Sequence, residues 1–280
     1  MRFPIARFAG LLLASSVAAA LHAETRPSTA QPNVHVLAPM HMAGLDRERT
    51  VRIYLPPHYA ESHKRYPVLY MHDGQNLFDD ATSFVGEWGV DETLNTLART
   101  RGLELIVVGI DHGDARRMTE LDPWDNAKYG AGEGRAYLDF LVHTVKPYVD
   151  AHYRTRPDRA HTGLMGSSLG GLISHYAMYA YSDTFGKIGI FSPAYWFAPP
   201  VTEFTRTHRL PPHTRIYFYA GGKEDENMLP NMNAMIALLR RPVSGAPHLQ
   251  AHVAPDAEHN EKAWRAEFPR AVEWLFDGAR

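Results

Sequence analysis

The sequence predicts an α/β fold, a mostly parallel central sheet with helices on both faces, and three observations predict it. Short apolar runs of strand length alternate with helical stretches from Pro67 onward. The runs are apolar throughout rather than at every second residue, as in strands covered on both faces. The chain has 280 residues, 45% of them hydrophobic, enough for one sizeable core.

The first residues read as an address rather than as fold. Arg2 and Arg7 make a positive head, residues 8–21 are rich in Leu and Ala, and Ala23 is a small residue suited to cleavage. Residues 1–23 are therefore expected to be a signal peptide. Their apolar stretch of about 14 residues falls short of the ~20 that span a bilayer. The mature chain is expected to start near Glu24, exported to a periplasm or secreted. Residues 24–33 are polar and contain proline, so they predict a flexible segment. Residues 34–280 then form one catalytic domain.

Within that domain, residues 34–37 and 50–55 read as early strands. The second alternates Val51, Ile53 and Leu55. The two can pair as an antiparallel extension of the sheet. Further strands are predicted at residues 67–71, 103–110, 161–165, 188–191, 216–220 and 249–253. Helices are predicted at residues 90–100, 136–152, 169–181, 231–239 and 262–276. In the second of these, Leu138, Leu141, Val142, Val145 and Val149 fall on one stripe.

Composition removes several function classes. Lys and Arg total 29 against 31 Asp and Glu, a net charge of −2, which leaves no basic footprint for nucleic acid or for a membrane surface. With no cysteine there is no disulfide, thiolate metal site or cysteine nucleophile. The 16 histidines are scattered and show no metal-binding spacing. His248 and His252 share a strand face but stand about 13 Å apart at about 3.3 Å per residue.

Ligands of a parallel sheet bind beyond the carboxyl ends of its strands, so chemistry is sought there. After the strand at 161–165 comes Gly166-Ser167-Ser168-Leu169-Gly170-Gly171, then a helix. This fits G-x-S-x-G with Ser168 central, on a sharp turn that lifts its hydroxyl above the sheet. A serine needs a base, and the chain order of such sites is serine, acid, histidine. His259 is the one histidine after the last strand, at the end of the loop before the last helix. The acid is expected after the strand at 216–220, where Gly221-Gly222-Lys223-Glu224-Asp225-Glu226 follows. Glu224 is preferred and Asp225 is the alternative. Two backbone N–H groups should hold the oxyanion: Leu169, next to the nucleophile, and Gln75, in the loop His72-Asp73-Gly74-Gln75. Gly74 would let that backbone approach the substrate. His72 precedes the serine in the chain and is expected to be structural.

Seven segments carry a family resemblance: HDGQNLFD (72–79), GEWGVDETL (86–94), VGIDHGDARRMTELDPW (108–124), GSSLGG (166–171), FSPAYW (191–196), YAGGKEDENM (219–228) and EHNEKAWRAEFPRAVEWLF (258–276). Over about residues 45 to 278 the chain resembles the Putative esterase family of α/β-hydrolases, with its esterase D-like and enterochelin esterase-like members. The resemblance implies the α/β-hydrolase fold, with Ser168 and His259 as catalytic residues. The G-x-x-E form of the acid loop favours Glu224; a G-x-x-D form would favour Asp225. Residues 117–124 resemble a substrate-side loop. There Arg117 either meets a carboxylate or phenolate of the substrate, or pairs with Glu120. Trp196 either walls the acyl pocket or belongs to the core.

The expected activity is serine-dependent carboxylic ester hydrolysis through an acyl-enzyme, with no metal or organic cofactor. The substrate would be a small-molecule or glycan-linked ester. Two alternatives stand beside it: acyl transfer to an alcohol on the same fold, and an inactive module that binds a siderophore or glycan.

Overall fold

The structure, a computed structural model, describes residues 26–240 and 247–276. The expected signal peptide lies outside the described residues. In chain order the strands are β1 (Val34–Val36), β2 (Met40–Met42), β3 (Arg47–Arg49), β4 (Val51–Tyr54), β5 (Val68–His72), β6 (Ile106–Ile110), β7 (Thr162–Ser167), β8 (Lys187–Phe191), β9 (Arg215–Gly221) and β10 (His248–Ala254). The helices are α1 (Val90–Arg101), α2 (Arg117–Glu120), α3 (Gly134–Phe140), α4 (Lys146–His152), α5 (Leu169–Ala180), α6 (Pro200–Thr207), α7 (Met228–Leu239) and α8 (Glu261–Phe276).

One eight-stranded sheet runs β1-β4-β6-β5-β7-β8-β9-β10. From β6 to β10 every pairing is parallel, while β4 joins β6 and β1 joins β4 antiparallel. The eight expected strands are thus all present, and the early pair forms the antiparallel extension. Successive residues of a strand face opposite ways. In β9, Ile216, Phe218 and Ala220 pack with α5 and α7, while Tyr217 and Tyr219 pack with α8. Helices α3, α4, α5 and α7 cover the first face and α1 and α8 the second. Both faces are therefore apolar, which is why the strand runs are continuous.

Three features depart from expectation. The helix expected at 136–152 is divided by a wide turn at Leu141–Val145, where Lys146 N–H bonds the Leu141 carbonyl. Pro147 follows directly and has no N–H to continue the regular ladder. The hairpin of β2 and β3, the single turn of α2 within the expected loop at 117–124, and helix α6 are not among the expected elements. The strands of the hairpin have three residues each, too few for a periodic signal. Helix α6 opens on Pro199-Pro200, which reads locally as a breaker but is tolerated in a first turn.

The third departure is the segment before β1, expected to be flexible. Its described part is strapped across the loop between β5 and α1. Arg26 Nη2 donates to the Ser83 carbonyl (2.7 Å), Thr29 N to Asp79 Oδ1 (3.1 Å), Thr29 Oγ1 to Glu87 Oε1 (3.1 Å) and Gln31 N to Asp91 Oδ2 (2.8 Å). Polar composition marks a loop, but the acids that hold it stand 50 to 60 residues away. Among the described residues no helix is long and apolar enough to cross a membrane.

Candidate active site

The carboxyl ends of β5, β7 and β8 each finish in a non-glycine residue with positive φ: Asp73 (58°), Ser168 (57°) and Ser192 (42°). Such backbone costs about 1–3 kcal/mol per residue and persists where the surroundings over-determine it. At Ser168, with ψ −117°, the surroundings are explicit. Its N–H donates to the Phe191 carbonyl (2.9 Å), and its carbonyl accepts from Leu172 (3.0 Å) and Ala194 (3.1 Å). Gly166 is required because a Cβ there would lie 2.8 Å from His72 Cδ2 and 2.9 Å from the Gly170 backbone. The turn throws Ser168 into a cavity of about 670 Å³, also lined by His259, Gln75, Arg117, Phe84, Trp88 and Trp264.

His259 enters this cavity from the loop between β10 and α8. Its Nδ1 donates to Glu224 Oε2 at 2.6 Å, and its ring meets Trp264 edge to face at 5.1 Å. The Glu224 side chain is 1% exposed. Its other oxygen, Oε1, accepts from Ser192 Oγ and from Gly221 N, both at 2.6 Å. Ser192 Oγ in turn accepts from Trp264 Nε1 (2.9 Å). The carboxylate is thus satisfied on both oxygens and aimed at one imidazole nitrogen, which leaves Nε2 for the cavity. Asp225 is exposed, and its Oδ1 accepts from Asn227 N two residues on. The geometry therefore brings Glu224, and not Asp225, to His259. Among the described residues no hydrogen bond joins Ser168 to His259; such contacts commonly tighten only when substrate is bound.

Leu169 is the first residue of α5, so its N–H has no acceptor within the helix. Gln75 sits in a short 3₁₀ turn at Gly74–Asn76, and its N–H meets no backbone acceptor among the described residues. Gly74 has a different reason from the expected one. A Cβ there would meet the backbone of β6 at 2.8 Å and Asp111 Oδ1 at 2.6 Å, so it serves close packing of the turn on β6.

The expected Arg117–Glu120 pair and the expected place of Trp196 need correction. Arg117 lines the cavity, but its Nε and Nη2 are held by Asp73 at 2.7 and 2.9 Å. Glu120, its expected ion partner, is taken by Arg47 and Arg49. Burial works to raise the Asp73 carboxyl, and the Arg117 guanidinium outweighs it and holds Asp73 below the usual range. Trp196 is neither acyl-pocket wall nor core. It is 57% exposed and lines a separate groove beside α7. The loop after β8 turns its neighbours Tyr195 and Phe197 inward instead. The aromatic walls are Trp88 and Trp264, with Phe84 at the mouth. His72 is structural, as expected: Tyr137 Oη (2.7 Å) and Ser174 Oγ (3.1 Å) hold it, and burial pushes its ring down to about 4. Burial also raises the Glu261 carboxyl at the cavity edge.

Comparison with known proteins shows the family and the fold. The family model described as "Putative esterase" matches residues 43–275. The chain is 26% identical over 249 residues to the protein YbbA of Bacillus subtilis, covering 84% of this chain and 94% of that one. Among solved structures it is similar to the BES protein of Bacillus cereus (TM-score 0.72, 17% identity, 89% of this chain and 97% of that one). It is also similar to an IroE-like serine hydrolase of Shewanella oneidensis (TM-score 0.70, 20% identity, 86% and 80%). The enterobactin esterase FES of Shigella flexneri gives a TM-score of 0.74 at 19% identity, over 91% of this chain and 62% of that one. At these identities the structural likeness speaks for the fold.

Proposed function

The chain belongs to the Putative esterase family and is a carboxylic ester hydrolase, and from that premise we propose that it works through Ser168, His259 and Glu224 by way of an acyl-enzyme. The observation that carries this reading is the strained Ser168 backbone, φ 57° and ψ −117°, at the strand-to-helix turn of the cavity that also holds His259. Ser168 Oγ attacks the ester carbonyl while His259 Nε2 takes its proton. Glu224 keeps the other imidazole proton on Nδ1 and stabilises the imidazolium that forms. The developing oxyanion is held by the N–H groups of Leu169 and Gln75, the first at the positive end of α5. His259 then gives its proton to the departing alcohol, and a water that it activates releases the acid. Every proton and electron pair in this sequence is supplied by ester, water and these side chains.

The substrate class is a small-molecule or glycan-linked ester. The charged head and short apolar run of residues 1–23 support export to a periplasm or medium.

The test is hydrolysis of p-nitrophenyl acetate and butyrate by residues 24–280, beside Ser168→Ala. The wild type should turn over and the variant should lose about 10⁴-fold or more in kcat. Substantial turnover by a folded Ser168→Ala protein would falsify the mechanism.

A further inference from the structure

A second cavity of about 510 Å³ adjoins the first, and the two share Gln75, Thr82, His112 and Asp114 as lining. Their chemistry differs. The catalytic cavity has the aromatic walls described above. The second is lined by four arginines and four acids and by no large apolar side chain. Most of these charges are already matched: Arg52 holds both oxygens of Asp111 (2.8 and 3.0 Å), and Arg49 holds both oxygens of Glu120 (2.7 and 2.8 Å). A chamber balanced in this way gives a net ion no preference, but it can hydrogen-bond a neutral polar group at many points.

His112 stands where the cavities meet. Its N–H donates to Gln75 Oε1 (3.0 Å), which ties it to the turn of the oxyanion donor. Its Nδ1 accepts the Asp114 N–H at 2.9 Å, so the proton of the neutral ring sits on Nε2. The side chain is 17% exposed, and among the described residues Nε2 has no hydrogen-bond partner. A residue common to both chambers thus keeps one ring nitrogen, Nε2, with its hydrogen-bonding capacity unused.

We infer that the ester acted on carries a neutral arm bearing hydroxyl or carbonyl oxygens, that this arm occupies the second chamber, and that His112 Nε2–H is the donor that selects it. The inference rests on the serine-hydrolase reading above and names the substrate class of that same site. A site built to hydrogen-bond such an oxygen discriminates against the analogue that lacks it, because its own donor is left unpaired.

The experiment compares propyl butyrate, glyceryl monobutyrate and the butyryl ester of lactate by titration of released acid. The first two share acyl group and chain length and differ in two hydroxyls; the third puts a carboxylate on the alcohol side. The wild type should prefer the glyceryl ester to the propyl ester by about tenfold in kcat/KM. His112→Ala should bring that ratio to near unity, mainly through KM. His112→Gln, whose amide can still donate, should keep part of it. The ratio is internal to each protein, so a general loss of activity does not mimic the effect. No preference in the wild type, or an unchanged ratio in His112→Ala, overturns the inference. A preference for the lactate ester overturns the neutral arm. A wild type that hydrolyses none of the three yet is labelled at Ser168 by a fluorophosphonate overturns the inference alone; an unlabelled wild type overturns the hydrolase reading beneath it.

Discussion

Glu224 and Asp225 are neighbouring acids in one loop, and their surroundings give them different work. Glu224 is buried, with both oxygens engaged and one of them on His259 Nδ1. Asp225 caps the N–H of Asn227 in solvent. Glu224→Gln removes the charge that stabilises the imidazolium and offers an amide that can present the wrong group to Nδ1. Its kcat on p-nitrophenyl butyrate should fall by on the order of 10³ to 10⁴. Asp225→Asn should stay within about twofold. A large loss in Asp225→Asn with a small one in Glu224→Gln would reverse the assignment. The sequence displays this acid pair and prefers Glu224 without excluding Asp225, because which of two consecutive loop residues turns inward depends on the turn. Ser168 is legible because its motif is local, three glycines and a serine within three residues of it, although the groups that hold its backbone come from other strands. The ion partner of Arg117 is not legible because Asp73, which replaces the expected Glu120, is 44 residues away. Trp88 in the loop before α1 and Trp264 inside α8 follow no strand and so carry no local mark of a site, whereas Trp196 comes shortly after a strand.

At the scale of the element, the strand-to-helix turn after β7 works by close packing. A Cβ at Gly166 would meet His72 Cδ2 and the Gly170 backbone at 2.8–2.9 Å, and His72 is itself pinned by Tyr137 and Ser174. Neither neighbour can yield easily. Gly166→Ala should cost about 1–3 kcal/mol, as overpacking does, and lower kcat by shifting Ser168. At Gly170 the nearest contact would be 3.3 Å, to His72 Cβ, so Gly170→Ala should cost less. Thermal melts of the two variants beside their kcat values check the order; an equal or reversed cost would show that the turn relaxes. The parallel strands were legible for the same packing reason, since both faces of the sheet demand apolar side chains. The hairpin of β2 and β3 and helix α6 were not. Their boundaries are set by turns and prolines whose local meaning is ambiguous until neighbours are placed.

Across the whole molecule, the strap of residues 26–33 joins the start of the domain to α1 and to the loop that forms the cavity mouth. Its anchor at α1 is Asp91, which is fully buried and accepts Gln31 N. Burial first, and then the nearby Glu92 carboxylate, pushes the Asp91 carboxyl from 3.8 up to about 7. The folded protein therefore binds a proton here that the unfolded chain releases near pH 4. By linkage, this group's contribution to stability is fully present below about pH 3.8 and is lost as pH rises through about 7. Asp91→Asn keeps an acceptor for Gln31 N and has no proton to lose. The variant should gain on the wild type as pH rises from 5 to 8. If the gain at pH 8 is on the order of 1 kcal/mol, Tm should rise by about 2–4 °C there. A difference in Tm that stays constant over that range would mean that Asp91 is already ionised in the fold, held by Gln31 N and by Arg265, which approaches Glu87 and Glu92 at 3.6 and 3.9 Å. A difference that grows with pH would make the strap tighter in acid than in base, and with it the loop that carries Phe84 and Trp88 at the cavity.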